Sequence, residues 1–104
     1  MNIRHLAALG ALTTCFSLPV AATQELAQKN NCTACHAVDR KLVGPSYQEV
    51  AKRHAADKDA VAKLAASIRA GGSGKWGPVP MPAQPNLSEA DAKTLAAWAL
   101  RGAK

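Results

Sequence analysis

Residues 32–36 read Cys32-Thr33-Ala34-Cys35-His36, a C-x-x-C-H run, and this stretch decides the expected fold. Two thiols at this spacing can each form a thioether with one vinyl group of a single porphyrin, so the run is the attachment signature of a c-type haem. The histidine that follows can donate an imidazole nitrogen to the iron as an axial ligand. The alternatives are a chance run, or a thioredoxin-like redox pair that happens to precede a histidine. We expect Cys32 and Cys35 to bind one haem covalently and His36 to ligate its iron.

The first 22 residues have the features of a secretory signal peptide. Arg4 and His5 make a short basic segment, residues 6–18 are mostly apolar and uncharged, and residues 20–22 offer small side chains to a signal peptidase. The apolar segment is shorter than the about 20 residues that a membrane-spanning helix needs. We therefore expect residues 1–22 to be an export signal that is removed.

Cleavage after Ala22 would leave a single domain, residues 23–104, in the periplasm. Removing 22 of the 104 residues leaves 82, with 12 basic residues against 7 acidic ones, a formal charge of +5. Two alternatives would keep the chain at a membrane: a lipid anchor on Cys15, and an uncleaved apolar anchor. The cleaved form would have no stable membrane anchor.

A mature chain of 82 residues is a small domain with a thin core of its own, and such domains usually need an additional stabilising group. Its aromatic residues are Tyr47, Trp76 and Trp98. A covalently bound porphyrin would supply the missing apolar mass, whereas a disulfide between Cys32 and Cys35 would close too small a loop. A structural zinc site needs four ligands, and the mature chain has no second cysteine pair. Composition and motif therefore agree on haem.

Apolar side chains recur at helical spacing in four segments, and no strand pattern appears. The four expected helices cover residues 23–31, 47–54, 61–68 and 88–101. Residues 71–86 contain four glycines and four prolines, so we expect an irregular loop there. The pattern predicts an all-α domain of about four short helices.

Several positions inside these helices have an expected role. Thr23 and Ser88 are expected N-caps, because a hydroxyl there can accept a hydrogen bond from a free backbone N–H. Leu26 is the expected apolar anchor of the first helix, and Val61 is expected on the buried face of the third. The expected buried stripe of the last helix contains Leu95, Trp98 and Ala99.

The second axial ligand is expected from the stretch Trp76-Gly77-Pro78-Val79-Pro80-Met81-Pro82. Met81 is the only methionine that remains after cleavage, and the prolines on both sides of it restrict φ and stiffen the loop. The alternative is that Met81 packs against an apolar surface, which is the commoner use of methionine. Ligation by histidine and methionine raises the reduction potential and leaves no open iron position, which is typical of an electron carrier.

On these residues the chain resembles the short class I cytochromes c of bacterial periplasms, the cytochrome c-551 and c-552 group. The resemblance is carried by the haem-attachment motif, Val43-Gly44-Pro45, the stretch from Trp76 to Met81, and the terminal helix with Trp98. It implies an all-α fold that wraps one covalently attached haem and holds a Pro-rich loop with the methionine ligand.

The resemblance also implies two further haem-binding residues. Pro45 would pack beside His36, with a nearby backbone carbonyl accepting the Nδ1–H and setting the tautomer of the imidazole. Trp76 would donate its indole N–H to a haem propionate, and the alternative is that Trp76 only packs within its loop.

Four positions depart from the pattern of this group. Ala27 stands where an aromatic residue is frequent, Ser67 where some members have an arginine near the propionates, and Gln84 where some have an asparagine. His54 lies on an apolar helix face, where some relatives have an aromatic residue. His54 is expected to pack near the haem edge, or alternatively to pair with a propionate and tune the potential with pH.

The positive charge indicates which partners the domain can attract. Lysines around an exposed haem edge would steer the domain to acidic redox proteins, although scattered lysines can also serve solubility alone. The candidate lysines are Lys29, Lys41, Lys52, Lys75 and Lys104. Nucleic acid is not an expected partner, because the chain is exported and has no basic cluster interleaved with aromatic residues.

The predicted function is that of a monomeric periplasmic electron carrier and not an enzyme. It would exchange single electrons with membrane cytochrome complexes, terminal reductases or oxidases. One alternative is a sensing or catalytic haem domain, in which Met81 leaves the iron to admit a small ligand. Another is the electron-accepting subunit of a periplasmic dehydrogenase.

Overall fold

The structure, a computed structural model, describes residues 10–12 and 20–104. The helices in these ranges are α1 (Val20–Lys29), α2 (Tyr47–Arg53), α3 (Ala60–Ala70) and α4 (Glu89–Leu100), with a short 3₁₀ helix at Cys32–Ala34. The same ranges contain two isolated β-bridges and no β-strand. The predicted all-α architecture of about four short helices is confirmed, while most of the predicted signal peptide lies outside the described residues.

Helix α1 begins earlier than predicted. It starts at Val20, so Thr23 is not its N-cap but an internal residue with only 3% of its surface exposed. Two of residues 20–22 are alanines, which favour helix, so the helix extends back from Thr23 to Val20. Ala27 is completely buried in the core, whereas Leu26, the expected anchor, is only partly buried at its edge.

Helix α4 is the centre of the core, because α1, α2 and α3 all pack against it. Its buried residues are Ala92, Leu95, Ala96, Trp98 and Ala99, which confirms the predicted stripe and extends it by two alanines. The ring of Tyr47, the first residue of α2, lies 4.8 Å from that of Trp98. These small and aromatic side chains form the inner wall against which the functional site is built.

The buried face of α3 differs from the prediction at its first position only, since Ala65 and Ile68 are buried. Ala60 is buried and Val61 is exposed, although the pattern placed Val61 inside. Residues 60 and 61 both lie on the same helical face as Ile68, so the helical period does not show which of them is buried. The prediction chose Val61 because valine is more hydrophobic than alanine, and this choice was wrong. Ala60 is the first residue of α3, and it lies outside the main core cluster, which α3 joins through Ala65 and Ile68.

The turn before α3 is organised by Asp57. Its Oδ1 accepts a hydrogen bond from the backbone N–H of Asp59, and its Oδ2 lies 3.0 Å from Nζ of Lys63. The hydrogen bond between Lys63 and Asp57 lowers the pKa of the Asp57 carboxyl and raises the pKa of the Lys63 amine. Asp59 occupies the N-cap position but makes no side-chain capping bond.

Ser88 is the N-cap of α4, as predicted, and its contribution to stability can be measured. Ser88 Oγ accepts a hydrogen bond from the backbone N–H of Asp91 at 3.0 Å. We expect Ser88→Ala to lower the free energy of unfolding by about 1 kcal/mol, because one backbone donor loses its partner. Thermal unfolding measures this, with Ser73→Ala in the exposed loop as the control. Equal Tm values for the two variants would contradict the prediction.

The loop after α3 is closed at its base. Gly71 ends α3 with φ of 68°, a left-handed conformation that glycine adopts without strain, as predicted for this position. Gly72 and Met81 then exchange two backbone hydrogen bonds, of 3.0 and 2.8 Å. We call residues 72–81 the Met81 loop. At its tip, the N–H of Gly74 donates to the carbonyl of Gly77 at 2.8 Å.

None of the helices within the described ranges combines the length and the apolar character needed to cross a membrane.

Candidate functional site

One cavity of about 350 Å³ contains the predicted site residues in its walls. Its lining includes side chains from α2, α3, α4 and the Met81 loop. The six residues singled out in the sequence all line it, namely Cys32, Cys35, Pro45, His36, Trp76 and Met81. The fold therefore brings together residues that are up to 49 positions apart, from Cys32 to Met81.

The attachment motif is held by a short 3₁₀ turn. The N–H of His36 donates to the carbonyl of Cys32 at 2.9 Å, and Asn31 precedes the turn with φ of 61°, which asparagine tolerates better than most residues. Both cysteines are partly buried, and burial raises the pKa of the Cys32 thiol. The turn thus presents both thiols to the same cavity.

The imidazole of His36 is oriented by one short hydrogen bond. Its Nδ1 lies 2.6 Å from the carbonyl oxygen of Pro45. A carbonyl oxygen can only accept, so Nδ1 is the donor in this bond, and Nε2 is the ring nitrogen left for a metal. The Tyr47 ring stacks on the imidazole with centroids 5.6 Å apart, which further restricts its rotation.

Gly44 is a site residue that the sequence analysis named only as part of the Val43-Gly44-Pro45 motif. A Cβ at this position would lie 2.6 Å from Cε1 and 3.0 Å from Nδ1 of His36, so only glycine leaves room for the ring. Its N–H also donates to the carbonyl of Cys35 at 2.8 Å. The requirement is steric and comes from packing, and only the Val43-Gly44-Pro45 motif pointed near it.

The four departures from the family pattern differ in their relation to the cavity. Ala27, Ser67 and His54 line it, and His54 is half-buried. Gln84 does not, and its backbone N–H donates to the carbonyl of Arg69 at 3.0 Å. Gln84 therefore helps to hold the segment after the Met81 loop against α3.

Only part of the predicted lysine ring lies at the cavity. Lys41 and Lys75 line it, as does Lys63, which the sequence analysis did not select, whereas Lys29, Lys52 and Lys104 do not. Val43 and Val79 also line the cavity and are more than half exposed. The edge of the site is therefore apolar with positive charge beside it.

The donor set suits a haem better than a bare metal ion. Residues 10–12 and 20–104 contain no group of three or more His, Cys, Asp or Glu side chains that could hold a metal ion. The cavity instead offers two thiols, one oriented imidazole, one thioether and apolar walls from residues such as Ile68 and Leu95. Burial also raises the pKa of the Tyr47 hydroxyl far above its usual value, so this neighbour stays uncharged.

A small helical domain with this cavity and this attachment motif defines a haem-binding electron-transfer protein. The family model described as cytochrome c matches residues 20–101, so the chain belongs to the cytochrome c family.

Similar proteins from other bacteria are named cytochrome c-551 and cytochrome c-552. The chain is 54% identical over 77 residues to cytochrome c-551 of Azotobacter vinelandii, covering 74% of this chain and 93% of the relative. It is 53% identical over 79 residues to cytochrome c-552 of Hydrogenobacter thermophilus, covering 76% and 80%. The solved structure of cytochrome c552 from Nitrosomonas europaea superposes with a TM-score of 0.73 at 49% identity, covering 76% of this chain and 98% of that one.

These findings confirm the class predicted from the sequence. The protein is a short class I cytochrome c of the c-551 and c-552 group, with a covalently attached haem c and a role in electron transport. The family is one of electron carriers rather than of enzymes.

Proposed function

We propose that residues 23–104 act as a periplasmic electron shuttle in which Cys32 and Cys35 bind the haem through thioethers and His36 and Met81 are its axial ligands. The observation that carries this proposal is that both thiols, the imidazole and the thioether line one cavity. When bound, the haem supplies one-electron exchange between ferric and ferrous iron. The protein supplies two side chains that do not need to move when the electron arrives or leaves.

The two ligands are restrained in different ways. Pro45 accepts the hydrogen bond from His36 Nδ1, which keeps the imidazole in one tautomer and makes Nε2 a better donor. The base of the Met81 loop is closed by paired backbone hydrogen bonds with Gly72, and Pro80 and Pro82 limit the backbone on both sides of Met81. Trp76, in the same loop, is the proposed donor to a propionate.

Docking of redox partners is proposed at the exposed edge of the cavity. Val43 and Val79 offer an apolar contact there, and Lys41 and Lys75 place positive charge beside it. This arrangement favours brief electrostatic encounters of a monomer with acidic surfaces on membrane cytochrome complexes, terminal reductases or oxidases.

Electron transfer to such a partner should slow as ionic strength rises, because salt screens exposed charges.

Export by an N-terminal signal peptide remains part of the proposal. Cleavage after Ala22 would remove the first three residues of α1, from Val20 to Ala22, and leave Thr23 as the first residue. Intact mass of the protein from the periplasmic fraction would test this, since the proposal requires an 82-residue chain plus one haem. A retained N-terminus or an added lipid mass on Cys15 would contradict it.

Carbon monoxide distinguishes the carrier from a sensing or catalytic haem domain. We expect no spectral change when it is added to the reduced protein at neutral pH, because Met81 occupies the iron position that it would need. A weak far-red band in the ferric spectrum, lost on addition of cyanide, is expected as the signature of thioether ligation. Rapid carbon monoxide binding by the reduced protein would favour the sensing or catalytic reading.

A further inference from the structure

Arg53 connects α2 to the tip of the Met81 loop by two contacts at once. Its guanidinium carbon lies 4.1 Å from the centroid of the Trp76 ring. The same guanidinium donates a hydrogen bond through Nη1 to the backbone carbonyl of Lys75. One side chain thus holds two consecutive residues of a loop that begins 19 positions further along the chain, at Gly72.

The loop has few other restraints at this end. Its base is tied by the two backbone bonds between Gly72 and Met81, and the Gly74–Gly77 bond lies within the tip itself. Among the side-chain hydrogen bonds and salt bridges of the described part of the chain, the Arg53–Lys75 bond is the one that reaches the loop. Trp76 is 39% exposed, so burial alone does not hold it.

The chemistry of arginine suits this double contact. A planar guanidinium can lie over an aromatic face while its N–H groups donate in the plane, which the compact ammonium of lysine cannot do in the same way. Arg53 also stands in the last turn of α2, where a positive charge is favourable. Helix α2 is itself anchored in the core by Tyr47 and Val50, so the contact ties the loop to a rigid element.

We infer that Arg53 is a positioning residue that holds the tip of the Met81 loop against α2 and thereby keeps Met81 in place. The inference rests on the proposed function in one respect, since it takes Met81 to be an axial ligand. Without Arg53, Trp76 and Lys75 lose their contact with α2 and the loop opens more often from its tip.

The consequence is tested by ligand replacement in the ferric holo-protein. In Arg53→Ala, cyanide should replace Met81 about two to five times faster than in the wild type, as expected from the strength of a cation–π contact at an exposed site. Loss of the far-red band measures the rate. The control is Lys52→Ala, which removes the same charge from the neighbouring exposed residue and only breaks a 3.6 Å pair with Glu49. Equal rates in the two variants would overturn the inference.

Amide hydrogen exchange tests the contact independently of the iron ligand. We expect the Gly74 N–H, which donates to the Gly77 carbonyl, to exchange about two to five times faster in Arg53→Ala. The N–H of Val50 in α2, which donates to the Ser46 carbonyl, should exchange at an unchanged rate. Equal acceleration of both amides would mean that Arg53 only stabilises the fold, and would overturn the inference. If the wild type lacks the far-red band, the proposed ligation fails, while the Gly74 exchange still decides whether Arg53 holds the loop.

Discussion

Replacement of Met81 by alanine is expected to lower the reduction potential by an appreciable part of the about 0.8 V range over which axial ligands set haem potentials. The thioether sulfur favours ferrous iron, so its loss should stabilise the ferric state. The same variant should lose the far-red ferric band and bind carbon monoxide in the reduced state. Voltammetry and optical spectra of the holo-protein measure these changes.

Val79→Ala is the matched control for this experiment. Val79 lies in the same loop, lines the same cavity and is 57% exposed, so its truncation alters the loop surface without removing a donor atom. Its potential and its ferric spectrum should stay close to those of the wild type. A Met81→Ala protein that kept both the band and the potential would show that the sulfur is not a ligand.

Gly44→Ala is expected to lower the free energy of unfolding of the holo-protein by about 1–3 kcal/mol, the usual cost of adding a methyl group to a packed site. The added Cβ would lie 2.6 Å from Cε1 of His36. The ring cannot move away freely, because Nδ1 is held at 2.6 Å from the Pro45 carbonyl. In a domain of this size each kcal/mol lowers the Tm by about 4–8 °C, which thermal unfolding measures.

Val43→Ala provides the comparison for Gly44. Val43 is the preceding residue in the same segment and is more than half exposed, so its truncation should change the Tm by little. The contrast separates crowding of His36 from a general effect of altering this loop. A Gly44→Ala protein as stable as Val43→Ala would mean that the imidazole adjusts without cost.

The helices were largely predictable because each carries its own local signal. Ser88 caps α4 as expected, and Gly71 ends α3. The errors arose where the helical period allows either of two neighbouring residues to be the buried one, or where the start of a helix depends on the residues before it. Thr23 is inside α1, and Ala60 is buried in place of Val61. In both cases packing or chain context outweighed the pattern.

Some residues of the candidate site could likewise be predicted from local sequence, and others could not. Cys32, Cys35 and His36 are recognisable because their chemistry requires a fixed local spacing, and Met81 because it is the single thioether in residues 23–104. Gly44 and Arg53 carry no such signal. The need for glycine follows from the position of the His36 ring, and the role of Arg53 from Trp76 and Lys75, which the fold brings to it.

By itself the amino-acid sequence determined the attachment motif, the helical segments, the Pro-rich loop and hence the family, because all of these depend on residues close together in the chain. The tertiary structure alone decided which carbonyl orients His36, why Gly44 has no side chain, and how Arg53 meets the Met81 loop. These contacts join α2, the loops and the motif across many residues. Their energies depend on distances of a few ångströms that no local pattern encodes.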